Sequence, residues 1–265
     1  MRKIKVLMNG ACGKMGRSMS AGIMATQDME IVAAVDMRGG GQDLGILSGG
    51  EPQGVPVQTD LAAAIKAKKP DVLVDFTGPL AILNNLRTAL PFSLPCVVGA
   101  TGLSGQELQE VDALAQEYHT AVFFTPNFAL GAVLIMRFAQ EAASYFTHVE
   151  VIERHHDQKL DAPSGTAIAT MELIATARKQ FAQGAAGEIE SIAGARGANF
   201  EGARLHSVRL PGYMATQEVV FGGQGQVLTI RHDAINRDCF LPGVLLAIRK
   251  IQNLSGLVVG LEKLL

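Results

Sequence analysis

Cysteine is scarce in this chain. Cys12, Cys96 and Cys239 lie far apart, form no CxxC pair and build no small disulfide framework, which points to a reducing compartment. An excess of either charge is missing too. Against 23 Lys and Arg stand 25 Asp and Glu, a formal net charge of −2, so the overall electrostatics favour neither nucleic acid nor an anionic membrane as a partner. Nor is there an unbroken apolar run of the roughly 20 residues that a bilayer demands. Residues 88–106 carry no charge but are interrupted by Pro91 and Pro95, and 119–136 by His119, Pro126, Asn127 and Gly131. Behind Met1-Arg2-Lys3, the stretch Ile4–Met8 is too short for a secretory signal and reads as a buried strand. A cytoplasmic protein is expected.

What is present suits a substantial core. Hydrophobic residues make up 48% and charged residues 18% of 265, enough for one large domain or two modest ones. In the first half, apolar runs at 4–9, 31–36, 71–76, 95–98 and 121–125 alternate with helix-length amphipathic stretches at 14–27, 60–68, 79–90 and 104–119. Continuous apolar strands alternating with helices predict a parallel sheet covered on both faces. The Gly- and Pro-rich stretch 37–57 reads as a mobile surface loop. After about residue 126 the pattern changes to a helix at 130–145, a strand at 148–155, a helix at 164–181 and strands at 204–211, 215–221 and 226–232, with a hairpin turn at Gly222–Gly225. A helix follows from about Phe240 to Asn253. The fold class expected is α/β: an N-terminal Rossmann-like parallel-sheet domain over 1–126, and a C-terminal α+β domain over 127–237 with a mixed, largely antiparallel sheet.

The first strand runs straight into Gly10-Ala11-Cys12-Gly13-Lys14-Met15-Gly16, which opens a helix. A dinucleotide pyrophosphate approaches backbone amides at a helix N-terminus, where side chains would block it. The second strand ends at Asp36, where an acidic residue accepts hydrogen bonds from the adenosine ribose. A carboxylate there repels a ribose 2′-phosphate, so NADH is expected to serve at least as well as NADPH, with Lys14 and Arg38 softening the preference. Two further turns end strands of the same half, Asp75-Phe76-Thr77-Gly78 and Gly99-Ala100-Thr101-Gly102. Either suits the nicotinamide side, because ligands of open α/β sheets sit at the carboxyl ends of strands.

The densest chemistry lies in Glu153-Arg154-His155-His156-Asp157-Gln158-Lys159-Leu160-Asp161-Ala162-Pro163-Ser164-Gly165-Thr166-Ala167. Two histidines and a lysine offer protons and positive charge. Ser164-Gly165-Thr166 offer hydroxyls and amides at a helix start, an arrangement that suits a carboxylate. No metal is expected: adjacent His155 and His156 point to opposite sides of an extended chain, and no cysteine lies nearby. A serine hydrolase lacks its GxSxG elbow. A different Rossmann dehydrogenase, acting on an amino or hydroxy acid, shares the glycine turn. A non-catalytic NAD(H) sensor would share it too, but has no use for His155, His156 and Lys159.

The run HHxxKxDAPSGTA at 155–167 resembles the signature of the dihydrodipicolinate reductase family of lysine and diaminopimelate synthesis. GxxGxMG at 10–16, Gly99–Gly102, Thr125-Pro126-Asn127-Phe128 and Arg237-Asp238-Cys239-Phe240 with Gly243 are similar to the same family. The resemblance implies NAD(P)H-dependent reduction of a small cyclic dicarboxylate, 4-hydroxy-tetrahydrodipicolinate, to tetrahydrodipicolinate. It implies a homotetramer built through the second domain, and a closing helix, about 238–265, that packs back on the first. Residue by residue, it implies that Gly10, Ala11, Cys12, Gly13, Lys14 and Met15 hold the pyrophosphate and Asp36 the ribose. Gly99, Ala100, Thr101, Thr125, Pro126, Asn127 and Phe128 line the nicotinamide side. His155 and Lys159 are the proton donors, and His156, Gly165 and Thr166 hold substrate carboxylate. Met37 stands where NADPH-using relatives often place arginine, and Gln217 where many relatives have histidine.

Overall fold

The computed structural model describes residues 2–99, 102–179 and 183–265. The chain forms two compact units, one of Met1–Ala129 with Arg237–Leu265 and one of Leu130–Asn236. Among the described residues no helix is long and apolar enough to cross a membrane.

The first unit runs β1 (Ile4–Asn9), α1 (Lys14–Met24), β2 (Met29–Val35), α2 (Leu44–Leu47), β3 (Val57–Gln58), α3 (Leu61–Lys68), β4 (Val72–Asp75), α4 (Pro79–Ala89), β5 (Cys96–Val98), α5 (Gly105–Glu117) and β6 (Ala121–Phe124). The second runs α6 (Leu130–Ala143), β7 (His148–His155), α7 (Gly165–Ala177), β8 (Ala198–Phe200), β9 (Ala203–Arg209), β10 (Ala215–Gly223) and β11 (Gln226–Ala234). The chain then rejoins the first unit with α8 (Leu241–Lys250) and β12 (Gly256–Val259).

In the first unit the seven strands pair in parallel among the described residues, in the order β12-β6-β5-β4-β1-β2-β3. Alternate residues of each strand serve opposite faces. Leu7, Leu73, Val98, Val122 and Phe124 pack with Leu61, Ile65, Ile82, Leu86 and Val111 of α3, α4 and α5. Val6 and Met8 on the other face are equally buried, and there α1 and α8 touch. The helix starts carry their own signals: Asp60 accepts from Ala63 N–H at α3, Pro79 opens α4, and Ser104 and Glu107 form a reciprocal capping box at α5.

The second unit has a five-stranded sheet, β11-β10-β7-β9-β8, antiparallel except where β7 and β9 run parallel. Helices α6 and α7 cover one face, where Ile135, Ala139, Met171 and Ile174 bury Val149, Val151, Leu205, Val219 and Phe221. The turn between β10 and β11 is tighter than the four residues expected. Gly223 pairs with Gln226, leaving Gln224-Gly225 as the loop, with Gly225 at φ +70°.

Two segments differ from the sequence reading. Residues 37–57 are not a featureless loop, because Asp43 accepts hydrogen bonds from the amides of Gly45, Ile46, Gln53 and Val55 and so organises the excursion around α2. The closing helix stops at Lys250 rather than continuing to the end, and Gly256–Val259 adds a strand beside β6. That strand is fixed by Asp112, which accepts from Leu257 N–H at 2.8 Å. Residues 180 and 181 of the helix expected over 164–181 lie outside the described residues.

Candidate functional site

In the first unit the strand order reverses at β1, whose neighbours are β2 and β4. A crevice at the carboxyl ends of an open sheet forms at such a switch point. The turn after β1 fits it only as glycine. At Gly10, φ is +80° and a Cβ would lie 2.7 Å from the Phe76 backbone; at Gly16 a Cβ would lie 2.1 Å from Gly10 O. Gly13 precedes α1 and offers no side chain as a cap. The first intrahelical bond, Arg17 N–H to Gly13 O, leaves the amides of Lys14, Met15 and Gly16 ahead of the ladder. Their open N–H groups and the helix dipole suit a phosphate. Ala11 and Cys12 are buried in the turn, and Lys14 is exposed at its rim.

Asp36 is nearly buried and is tied to this turn. Its carboxylate accepts from Cys12 N–H and from Arg38 N–H, each at 2.9 Å. Carboxylate oxygens retain further lone pairs for a sugar hydroxyl. The Cys12 thiol donates to Arg38 O, and burial with the neighbouring Asp36 charge pushes its pKa up. Cys12 is therefore a structural pin between the two strand ends rather than a nucleophile. Arg17, which the sequence reading did not single out, donates from Nε to Cys12 O at 3.0 Å.

The neighbouring strand ends form a second polar centre. Asp75 is fully buried and accepts from Asn9 Nδ2, Thr77 N–H, Thr77 Oγ1 and Asn85 Nδ2 at 2.6–2.9 Å. Burial raises its pKa, against which these donors work. Beside it, a Cβ on Gly99 would meet the Phe76 ring at 2.2 Å and the Phe128 ring at 2.8 Å. Ala100 and Thr101 lie outside the described residues. Thr125 Oγ1 donates to Asn127 O, Asn127 Oδ1 accepts from Ala129 N–H, and Phe128 packs on Phe76 and Phe123. Pro126 sits exposed in this turn. Gly243 of α8 allows the close approach that backs it, since a Cβ there would lie 2.1 Å from Phe128 O.

In the second unit, strand β7 presents Val149, Val151, Glu153 and His155 toward the helices. Glu153 has no exposed surface. His155 Nδ1 hydrogen-bonds its Oε2. Arg209 of β9 donates from Nη1 to Oε2 at 2.9 Å and from Nη2 to Oε1 at 2.8 Å. Burial alone would raise the Glu153 pKa, but hydrogen bonds from His155, Arg209 and Ser207 outweigh it and hold the carboxyl at about 2. The loop after β7 leaves His156 exposed, while the half-buried Lys159 donates from Nζ to both carboxylate oxygens of Asp161, at 2.7 and 2.8 Å. His155 and His156 therefore face different surroundings. Among the described residues no three His, Cys, Asp or Glu side chains converge as metal ligands. Ser164 caps α7 by accepting from Ala167 N–H. Ile168 N–H makes the first intrahelical bond, to Ser164 O, which leaves the amides of Gly165 and Thr166 open at the helix start.

Gln217, on the β10 position paired with Glu153, donates from Nε2 to Thr170 Oγ1, which in turn donates to Thr166 O. The sequence reading named Glu153 only as the first residue of the dense segment, without a role, and did not single out Arg209. The first was legible as the residue two before His155, hence on the same strand face. The second was not, since it lies 56 residues away.

An open parallel sheet with a side-chain-free helix start at its switch point defines a Rossmann-type dinucleotide-binding protein, here carrying a second unit rich in anion-binding groups. Two family models divide the chain between them: "Dihydrodipicolinate reductase, N-terminus" matches residues 4–128, and "Dihydrodipicolinate reductase, C-terminus" matches 131–265. The chain belongs to the dihydrodipicolinate reductase family, and this membership implies a nicotinamide cofactor. It is 50% identical over 266 residues to the 4-hydroxy-tetrahydrodipicolinate reductase of Desulfitobacterium hafniense, covering 100% of each chain. To the enzyme of that name from Moorella thermoacetica it is 51% identical over 262 residues, covering 99% of this chain and 98% of that one. A solved structure, dipicolinate-bound dihydrodipicolinate reductase from Paenisporosarcina sp. TG-14, superposes with a TM-score of 0.89 at 43% identity, covering 99% of this chain and 100% of that one.

The depressed Glu153 pKa has a measurable consequence. A carboxyl held at about 2 against an ordinary 4.5 stabilises the fold above the ordinary value and loses that contribution as pH falls between the two. The contribution is on the order of 3 kcal/mol. Urea unfolding at about pH 6 and about pH 3 should show a smaller acid loss for Glu153→Gln than for the parent. Equal losses would contradict the assignment.

Proposed function

We propose that the protein catalyses the NAD(P)H-dependent reduction of 4-hydroxy-tetrahydrodipicolinate to tetrahydrodipicolinate, in lysine and diaminopimelate biosynthesis. The observation that carries this reading is the segment from Glu153 to Thr170, which holds a histidine on a buried carboxylate at the end of β7, a lysine in the loop that follows and an open helix start at α7. A cyclic dicarboxylate needs two anion sites and a proton donor, and this segment offers both kinds of group. The names of the two relatives state the same substrate, and the solved relative binds dipicolinate.

The glycine-lined turn of the first unit fits a dinucleotide, because a Cβ at Gly10 or Gly16 would fill it. Gly10, Ala11, Cys12, Gly13, Lys14 and Met15 hold the pyrophosphate, and Asp36 accepts from the ribose hydroxyls. Gly99, Ala100, Thr101, Thr125, Pro126, Asn127 and Phe128 line the nicotinamide side. When bound, the reduced cofactor supplies a hydride. The residues of the second unit manage charge and protons. His156 and the amides of Gly165 and Thr166 bind one substrate carboxylate, and the Lys159 ammonium attracts the other. The substrate hydroxyl leaves as water together with a proton from the adjacent ring carbon, which forms the conjugating double bond. Hydride addition to the resulting conjugated imine leaves negative charge on the ring, which a proton from Lys159 or His155 neutralises.

Two further readings accompany this one. The enzyme works in the cytoplasm, a reading supported by Cys12, Cys96 and Cys239 all being free thiols. It is also a homotetramer assembled through the second unit. Supporting this, the face of the five-stranded sheet opposite α6 and α7 carries half-buried Ile152, Val208 and Val220. That face also carries the ion pairs of Arg154 and Arg231 with Glu218, a mixed surface suited to another copy of itself.

Lys159→Ala should lower kcat by about 10²–10⁴-fold while NADH affinity stays unchanged. An NADH oxidation assay supplied with fresh product of the preceding synthase measures the first, and fluorescence titration the second. A fall of less than about tenfold, or a loss confined to NADH binding, would remove Lys159 from the chemistry. The Asp36 carboxylate should make kcat/KM for NADH at least equal to that for NADPH, since Met37 supplies no charge and Arg38 is 77% exposed at the side chain. A large NADPH advantage would refute it. Light scattering of the purified protein should return four times the mass of a single chain, and a monomer would refute the tetramer.

A further inference from the structure

The chemistry proposed above uses His155 but gives no task to the charge beneath it. Glu153 is completely buried, and an ion in that position costs several kcal/mol unless strong partners offset the loss of water. Its partners are His155 and Arg209, with Ser207 as a further donor. Arg209 also donates from Nη2 to Asp161 O at 2.6 Å and from Nη1 to Val208 O at 2.8 Å. These four bonds hold the guanidinium in place although its buried Nε has no hydrogen-bond partner. Hydrophobic residues of similar size would fill the space between sheet and helices more cheaply.

We propose that Glu153 and Arg209 are a positioning pair for the reductase reaction. Glu153 fixes the His155 imidazole with its proton on Nδ1, which leaves Nε2 to face the substrate. Arg209 joins that carboxylate to the backbone of Asp161 and so sets the loop that carries Lys159. The assignment rests on the role proposed for His155. Glutamine cannot replace Glu153: in either orientation its amide turns an N–H toward one of the two Arg209 donors, and the tautomer of His155 is no longer dictated. Lysine cannot replace Arg209, because a single ammonium does not span both carboxylate oxygens and Asp161 O.

The first test needs no substitution at the pair. Long-range ¹H–¹⁵N spectra of the imidazoles, recorded at alkaline pH and with His155 assigned from the His155→Gln spectrum, should show His155 as a single Nδ1–H tautomer. An Nε2–H tautomer or an equal mixture would overturn the proposal. Glu153→Gln should convert the signal to a mixture and lower kcat by at least about tenfold, with the KM for NADH within about twofold of the parent. Arg209→Lys should lower kcat similarly with the tautomer retained. Parental kcat in both variants would overturn the proposal. His155→Gln separates the two levels: if its kcat is unchanged, the role of His155 falls, whereas the tautomer result still reports whether Glu153 orients the ring.

Discussion

A carboxylate removed from water keeps its charge only if donors surround it, and this requirement shapes several strand ends and turns of the molecule. Glu153 gathers His155 and Arg209. Asp75 gathers Asn9, Thr77 and Asn85 at the ends of β1 and β4. Asp36 gathers the amides of Cys12 and Arg38, and Asp43 those of four residues in the excursion after β2. Some of these donors lie in strands, as His155 and Arg209 do, and others in turns, as do the amides of Cys12, Arg38 and Thr77. The acid therefore fixes the local shape, because losing the shape would strand the charge.

Glycine supplies the complementary condition. Carboxylates draw turns together, and the turns meet only where no Cβ intervenes: Gly10 against the Phe76 backbone, Gly16 against Gly10, Gly99 against two phenylalanine rings, and Gly243 against Phe128 O. These contacts leave the amides at the start of α1 uncovered and hold the Thr125–Phe128 turn against α8. The same economy of side chains recurs at Gly165, where nothing lies within 4 Å of an added Cβ and the start of α7 stays open.

Much of this architecture was legible in the residues. Strand β1 and the helix after it follow from an apolar run that ends in a glycine turn. Each strand of the first unit up to β6, except the two-residue β3, stands out as a short continuous apolar stretch. Both faces of these strands are covered, so their periodicity is lost but their hydrophobicity is not. Strands β8 and β12 were not legible. Ala198–Phe200 is short and mostly exposed, and Gly256–Val259 is a strand only because β6 offers an edge and Asp112 a hydrogen bond. At the candidate site, His155, Lys159 and Ser164–Thr166 announce themselves by density. The buried acid that hydrogen-bonds the first of them reads in the sequence as one more polar residue of a strand.

The sequence by itself determined most of the strands and helices, where the chain turns without side chains, and which titratable residues share a loop, because these are local properties of consecutive residues. Only the tertiary structure decided the order of the strands, the joining of the C-terminal strand to the first sheet, and the meeting of Glu153 with Arg209. Such meetings depend on the register between strands far apart in the chain. Register is set by the packing of whole faces against helices, which no short run of residues specifies.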